Sequence, residues 1–362
     1  MDWAQRVCLA LALVPAGACY QSVVTGGDAG APSDAPAAPA VAGLSAGDDH
    51  SCLLLTTGRV VCWGHLRAAE AWPEELIGAA LFDGSCVSLR GGGSDCGGAA
   101  GPTNYALRER SLRDASGSER LCVVDDAGTL NCRPTSMDAF EEAARNVRAV
   151  ATGRAHVCVL AGDGRVLCQG ENLAGQCGQP PSERVEDFAE VPGLGAVQGL
   201  AAGAEHTCVL VAGRVNCWGR RAEGELGDDR LDLPANCGRA PSLFACTHEP
   251  REALGIRDAL EVTAGQFHTC VRRETGEVRC FGSDAFERLG LAGDAPSVCG
   301  EAPCSGRPLP VEGVTNAEFV SAGRFHTCAA SAREVRCWGS GAGAQLGERF
   351  LELDELVARL GL

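Results

Sequence analysis

Five stretches of this chain are near copies of one another, and that copying constrains the fold more than any single motif. They read SAGDDHSCLLLTTGRVVCWG (45–64), ATGRAHVCVLAGDGRVLCQG (151–170), AAGAEHTCVLVAGRVNCWG (201–219), TAGQFHTCVRRETGEVRCFG (263–282) and SAGRFHTCAASAREVRCWG (321–339). A decayed sixth copy, SGSERLCVVDDAGTLNC, occupies 116–132. Self-similarity of this kind means one supersecondary unit stacked several times, so that neighbours bury a core no unit could bury alone.

Inside each copy a Cys is followed by alternating apolar positions, a Gly-containing turn, more alternation and a second Cys. A period of two on either side of a turn is the signature of a β-hairpin. Between Cys208 and Cys217 the spacing puts Ala212 and Gly213 in a two-residue turn, whereas Cys270 to Cys280 centres on Thr275 and requires an odd-numbered loop. In both cases the two Cys face each other. Opposed residues in such a pair lie about 4.5 to 5.5 Å apart between Cα atoms, a gap that a disulfide spans. Six hairpin staples are therefore expected: Cys52 with Cys62, Cys122 with Cys132, Cys158 with Cys168, Cys208 with Cys217, Cys270 with Cys280, and Cys328 with Cys337.

The order AG, two residues, HTC, a hairpin, CWG and then a QLG-type turn resembles the repeat of the regulator of chromosome condensation family. The turn recurs as GQCG (175–178), GELG (224–227), ERLG (287–290) and AQLG (344–347). The resemblance runs from about Leu44 to Gly347 and implies an all-β fold, a β-propeller of six blades. A seventh blade follows if Cys86 and Cys96, also ten apart, form a degenerate hairpin. Propellers host unrelated tasks, so fold alone does not assign a function.

The first 18 residues have Arg6, an apolar run from Val7 to Val14 and then AlaGlyAlaCys, the outline of a secretory signal peptide. Cys19 follows small residues as in a bacterial lipobox, although Ala16 stands where that motif usually has a larger aliphatic. Lipidation of Cys19 is the expectation, with ordinary cleavage after Ala18 as the alternative. Residues 19–43 are rich in Ala, Gly, Pro, Ser and Asp without apolar periodicity and read as a tether. The propeller is expected over 44–362.

Three further Cys pairs, Cys86 with Cys96, Cys237 with Cys246 and Cys299 with Cys304, fall in the long intervals between hairpins and read as staples of loop insertions. With Cys8 lost in the signal and Cys19 at the mature terminus, the 21 Cys resolve into nine pairs and one leftover, Cys177. Cys177 stands where other copies have Leu226, Leu289 and Leu346, so a buried free thiol is expected there. Nine local disulfides imply an oxidising compartment. Ten-residue spacing suits bridges better than zinc, so no metal site is expected.

Composition excludes several chemistries. All 31 basic residues are Arg, which rules out P-loop, Schiff-base and Ser–Lys mechanisms. A net charge of −16 repels phosphate backbones, so no nucleic-acid partner is expected. No cofactor motif is present. His50, His156, His206, His268 and His326 hold one repeat position; a general base is one tuned residue rather than five copies, and these read as a polar contact inside each blade. Trp63, Trp218 and Trp338 read as core aromatics, and nothing near His65 or His248 completes a triad. Sialidases are propellers with a Tyr nucleophile, yet after the signal this chain offers only Tyr20 and Tyr105 and lacks the SxDxGxxW box.

The reading is an exported, lipid-anchored, non-enzymatic binding scaffold of the cell envelope, set in the outer membrane or periplasm or released outside the cell. The alternative is a sialidase-like hydrolase of surface glycans. Partner binding is assigned to the insertions at 67–101, 178–192, 227–250 and 290–310, read as loops on one face.

Overall fold

The computed structural model describes residues 39–64, 78–82, 86–89, 94–96, 112–117, 120–134, 140–231, 234, 236–300, 302–342 and 350–352. Successive antiparallel meanders build the body. The first is β1 (Val41–Ala46), β2 (His50–Leu55) and β3 (Val60–Gly64), and the second is β4 (Gly78–Phe82), β5 (Cys86–Leu89) and β6 (Ser94–Cys96). The third is β7 (Leu112–Gly117), β8 (Arg120–Asp125), β9 (Leu130–Pro134) and β10 (Glu141–Ala144), and the fourth is β11 (Val147–Thr152), β12 (His156–Ala161), β13 (Val166–Asn172) and β14 (Ser182–Glu190).

The fifth meander opens with β15 (Val197–Ala202), β16 (His206–Val211) and β17 (Arg214–Arg220). A separate two-stranded sheet, β18 (Cys237–Arg239) and β19 (Ser242–Phe244), then precedes its fourth strand, β20 (Cys246–Glu252). The sixth is β21 (Ala259–Ala264), β22 (His268–Arg273), β23 (Val278–Ser283), β24 (Ser297–Cys299) and β25 (Ala302–Pro310), in sheet order β21-β22-β23-β25-β24. The seventh is β26 (Phe319–Ala322), β27 (His326–Ala330), β28 (Glu334–Gly339) and β29 (Phe350–Glu352). Among the described residues no helix is long and apolar enough to cross a membrane.

The first strands of neighbouring meanders touch in sequence, and β1 touches β26, so the ring closes. At the closure Val41 N donates to Ala332 O (2.9 Å) and Ala46 N to Ser321 Oγ (2.9 Å). Each sheet is therefore a blade, with its first strand nearest the axis. The second strand is covered on both sides by adjacent blades, which is why β12 is buried along its whole length. The third strand alternates instead, as in β13. Cores lie between blades: Val215, Cys217 and Leu226 pack with Val262, Val271 and Phe281, and Leu53 and Leu55 pack with Ala330 and Val335 across the closure.

The hairpin turns follow from their spacing. Val211 pairs with Arg214, leaving Ala212 (φ 49°) and Gly213 (φ 75°) as a turn with positive φ at both central residues. In the odd-numbered loop Arg273 N donates to Glu277 O, and Gly276 takes φ 77°, the three-residue turn with a left-handed last position. Cys52–Cys62, Cys122–Cys132, Cys158–Cys168, Cys208–Cys217, Cys270–Cys280 and Cys328–Cys337 are bonded at Cα separations of 4.1 to 4.2 Å. Cys237–Cys246 and Cys299–Cys304 are bonded as well.

Three expectations require correction. Cys86 and Cys96 are directly opposed on β5 and β6, within a sheet of their own, so this segment is a blade in itself, the second of seven, and not a loop insertion. The spans 178–192, 227–250 and 290–310 are not loops throughout, because they supply β14, most of β20, and β25, the strands that pair with the third strand of three blades. Deleting 231–249 or 292–307 would therefore remove blade structure. Finally, the first strand begins at Val41, three residues before the expected boundary. The assignments at Cys19 and the tether up to residue 38 fall outside the described residues.

Candidate interaction face

The AGxxH segment makes the turn from first to second strand. Gly203 N donates to His206 O (2.9 Å), and a Cβ on Gly203 would stand 2.1 Å from His206 Cε1 and 2.5 Å from Gly265 O of the next blade. Gly265 meets the same two obstacles, His268 and Gly323 O. The repeat therefore needs glycine both to seat its own His ring and to let the neighbouring blade approach. A backbone ladder crosses these turns around the axis: Arg154 N to Ala204 O (3.2 Å), Ala204 N to Gln266 O (3.1 Å) and Gln266 N to Arg324 O (3.0 Å).

The repeat histidines act between blades, not inside one as expected. His156 Nε2 lies 2.9 Å from Thr207 Oγ1, His206 Nε2 2.9 Å from Thr269 Oγ1, His268 Nε2 2.8 Å from Thr327 Oγ1, and His326 Nε2 2.8 Å from Ser51 Oγ. Thr207 and Thr269 donate their hydroxyl protons to Gln176 O and Glu225 O, both at 3.0 Å. A hydroxyl has one proton, so in those two clasps the imidazole Nε2 is the donor. Burial lowers the pKa of His206 to about 3 and of His156 and His326 to about 4. The rings are neutral clamps, closed off from any substrate. The sequence obeys the same rule elsewhere. Gly84 replaces His in the second blade and Leu121 replaces the hydroxyl in the third; Arg120 replaces His in the third and Val157 the hydroxyl in the fourth.

Because the strands are antiparallel, the turns from first to second strand and the connections from third to fourth strand emerge at one end of the ring. That end carries a cluster of arginines, phenylalanines and carboxylates. Arg220, at the end of β17, lies 4.7 Å over Phe244 and 5.2 Å over Phe267. Its guanidinium contacts Glu205 (3.4 Å), Glu223 (3.4 Å) and Glu225 (3.3 Å). Glu225 is wholly buried, and desolvation raises its pKa to about 7 against the opposing pull of Arg220. Arg154 bridges Glu171 (3.2 Å) and Glu205 (2.7 Å). In the next blade Arg288 lies under Phe286 (5.7 Å) and Phe325 (5.5 Å), and Arg324 covers Phe325 (4.9 Å).

Leu243, Phe286 and Val298 project from the connections at this end with exposures of 54%, 65% and 72%. The two extra disulfides lie beside two of them: Cys237–Cys246 joins β18 to β20 around Leu243, and Cys299–Cys304 joins β24, which carries Val298, to β25, while Phe286 lies outside both in the turn Ala285–Glu287. At the opposite end ordinary paired charges predominate, such as Arg273 with Asp258 and Glu277 and Arg214 with Glu252. Phe267 and Phe325 were visible in the sequence as QFH and RFH, the residue before the repeat His. Their meaning depends on Arg220 and Arg288, which only the blade interface brings to them.

The remaining sequence candidates are placed as follows. Trp218 is fully buried and donates Nε1 to Gln176 O (2.9 Å), and Trp338 donates to Arg288 O (3.0 Å). Cys177 is an unbonded, buried thiol whose pKa burial raises to about 12. His248 backs onto Gly175 of the preceding blade. Tyr105 and His65 lie outside the described residues. Among the described residues no group of three His, Cys, Asp or Glu side chains is disposed to hold a metal.

The repeat model of the regulator of chromosome condensation (RCC1) matches residues 41–65 and 260–287. The chain carries RCC1 repeats. Over 202 residues it is 28% identical to the probable E3 ubiquitin-protein ligase HERC6 of Homo sapiens, covering 54% of this chain and 18% of that protein. Over 215 residues it is 26% identical to protein pim1 of Schizosaccharomyces pombe, covering 54% of this chain and 40% of that protein. The matched region is thus under half the length of either relative. The fold is similar to yeast RCC1 solved with Kap60 bound (TM-score 0.59, 17% identity, 84% of this chain and 71% of that one). It is also similar to the entire ectodomain of the Physcomitrella patens receptor kinase CR4 (TM-score 0.52, 17% identity, 84% and 75%). These likenesses establish an RCC1-type propeller.

Proposed function

We propose that this RCC1-repeat protein is a non-catalytic scaffold that works outside the reducing cytosol, held at the cell envelope by a lipid on Cys19, and that it binds a protein partner through the end of the ring bearing Leu243, Phe286 and Val298. The observation that carries the reading is the gathering of these exposed apolar residues at one end of the ring beside desolvated arginines, with Leu243 inside the Cys237–Cys246 loop and Val298 next to the Cys299–Cys304 bridge. A disulfide that closes a loop reduces the ordering cost of association, and aromatic residues with Arg are enriched where interfaces bury their centre. Disulfides in six of the hairpins support an oxidising compartment.

The names of similar proteins point the same way. An RCC1 propeller has been solved with Kap60 bound, and a related fold serves as a receptor-kinase ectodomain. The ligase activity in the name of HERC6 is not carried over, since the match spans 18% of it. The test uses the full chain in a bacterial host. A palmitate analogue should label the wild type and not Cys19→Ser, and the matured protein should retain a discrete partner from envelope extract. Equal labelling of both forms would refute the anchor, and retention of nothing would refute the scaffold.

A further inference from the structure

The third-to-fourth connections of the fifth and sixth blades begin with segments of equal length, GRRAEGELG (219–227) and GSDAFERLG (282–290). Aligned, they exchange Arg220 for Ser283, Glu223 for Phe286 and Glu225 for Arg288. The same recess between blades thus holds a buried carboxylate in one case and a buried guanidinium in the other. In the fifth blade the charges answer one another, with Arg220 against Glu205, Glu223 and Glu225. The sixth blade has no such answer.

Arg288 is 3% exposed, its Nε donates to Ala285 O (2.7 Å), and its buried Nη1 has no hydrogen-bond partner among the described residues. Nor does any carboxylate lie within ion-pair distance of it among those residues; Glu223 and Asp284 act on it only from farther away. Its backbone is fixed by Trp338 Nε1 on Arg288 O (3.0 Å) and by Leu289 N on Asp284 Oδ1 (2.9 Å). The guanidinium is therefore held between Phe286 and Phe325. Arg324, exposed on the other side of the recess, stacks on Phe325 and also has no ion pair among the described residues. Two neighbouring guanidiniums without carboxylates are unexpected in a chain with 47 acidic residues against 31 basic ones.

A desolvated cation with an unmade hydrogen bond is costly unless something pairs with it. The planar fork of Arg matches a carboxylate through two parallel hydrogen bonds, and aromatic walls that exclude water strengthen such a bond. Phe286 is the movable part, being exposed, at φ 65°, and edge-on to Phe325 at 6.5 Å. We propose that the recess around Arg288, Phe286, Phe325 and Arg324 is a binding site for a peptide carboxylate flanked by apolar residues, with Phe286 shifting to admit it. Glu223, Asp284 and the net charge of −16 disfavour a phosphate dianion at the same place. The proposal deepens the reading of this end as a protein-binding surface, and binding of small peptides tests it separately from partner capture.

The probes are acetyl-Leu-Glu-Leu-amide, acetyl-Leu-Gln-Leu with a free C-terminus, the neutral acetyl-Leu-Gln-Leu-amide, and a phosphoserine analogue, each titrated into the full-length protein by ligand-observed NMR. At least one carboxylate peptide should bind tenfold or more tightly than the neutral amide, and the two acids tell a side-chain carboxylate from a terminal one. Arg288→Gln should erase that preference without unfolding the protein, since Gln176 holds the same position in the fourth blade. If Arg288→Gln does not fold, Arg324→Gln at its exposed position should weaken the preference severalfold. Equal binding of the neutral amide, an unchanged preference in Arg288→Gln or, failing that variant, in Arg324→Gln, or tighter binding of the phosphoserine peptide would each overturn the proposal.

Discussion

His206 of the fifth blade donates Nε2–H to Thr269 Oγ1 of the sixth across 2.9 Å, and the Thr hydroxyl in turn donates to Glu225 O. Both side chains are fully buried, so the pair joins two blades where water cannot substitute. Truncating either partner leaves the other unsatisfied, at about 1 to 3 kcal/mol. His206→Ala and Thr269→Ala should each destabilise by about that much, with the cavity adding to the His value. Their double-mutant cycle in denaturant should show a coupling of roughly 1 kcal/mol or more. Additive effects would mean that the two residues do not act together.

The same clasps make stability depend on pH. The unfolded chain takes up protons on His as pH falls through 6.5, whereas the folded rings stay neutral to about 4, and His206 to about 3. More protons are then bound in the unfolded state, so stability is fully present above pH 6.5 and is lost between 6.5 and about 4. By pH 5 each of these rings contributes a loss of about 2 kcal/mol relative to pH 7.5. Glu225 works in the opposite sense, because its folded pKa near 7 favours the folded state as pH falls below that value. Denaturant midpoints at pH 7.5 and pH 5, measured in a Glu225→Gln background, should therefore fall with acid. His206→Gln should flatten the slope, and an unchanged slope would contradict the assignment of neutral His.

Cys177 packs with Trp218, Val191 and the Cys158–Cys168 pair, and burial raises its pKa to about 12. Since the thiolate is the reactive form, a thiol reagent at pH 8 should leave Cys177 untouched in the native protein and modify it fully once denatured without reductant. Fast native labelling at Cys177 would mean the fourth-blade core is open.

The sequence revealed what is local. Cys208, Ala212, Gly213 and Cys217 specify their own turn, because the hairpin closes over ten residues and its register is fixed by spacing. Cys86 and Cys96 were ambiguous since Gly84 stands in place of the His and no CWG follows, although the backbone pairing survived those losses. The strands β14, β20 and β25, which pair with the third strand of their blades, could not be read at all. They share no motif, make that pairing through bulges, and differ in the length of connection that precedes them. Arg220 and Arg288 were hidden for another reason. Each gains its meaning from Phe267 or Phe325 in the following blade, about 40 to 50 residues away in sequence.

The central claim is that partners dock at the end of the ring bearing Leu243, Phe286 and Val298. Two full-length variants, each with denaturant midpoint within about 0.5 kcal/mol of wild type as expected for surface changes, test it directly. One carries Leu243→Asp, Phe286→Asp and Val298→Asp; the other carries Leu254→Asp and Leu260→Asp, exposed residues outside that cluster. The account predicts that the first loses capture of the envelope partner by at least tenfold while the second captures it like wild type. Retained capture by the first variant with loss in the second would contradict it and move the site to the other end of the ring.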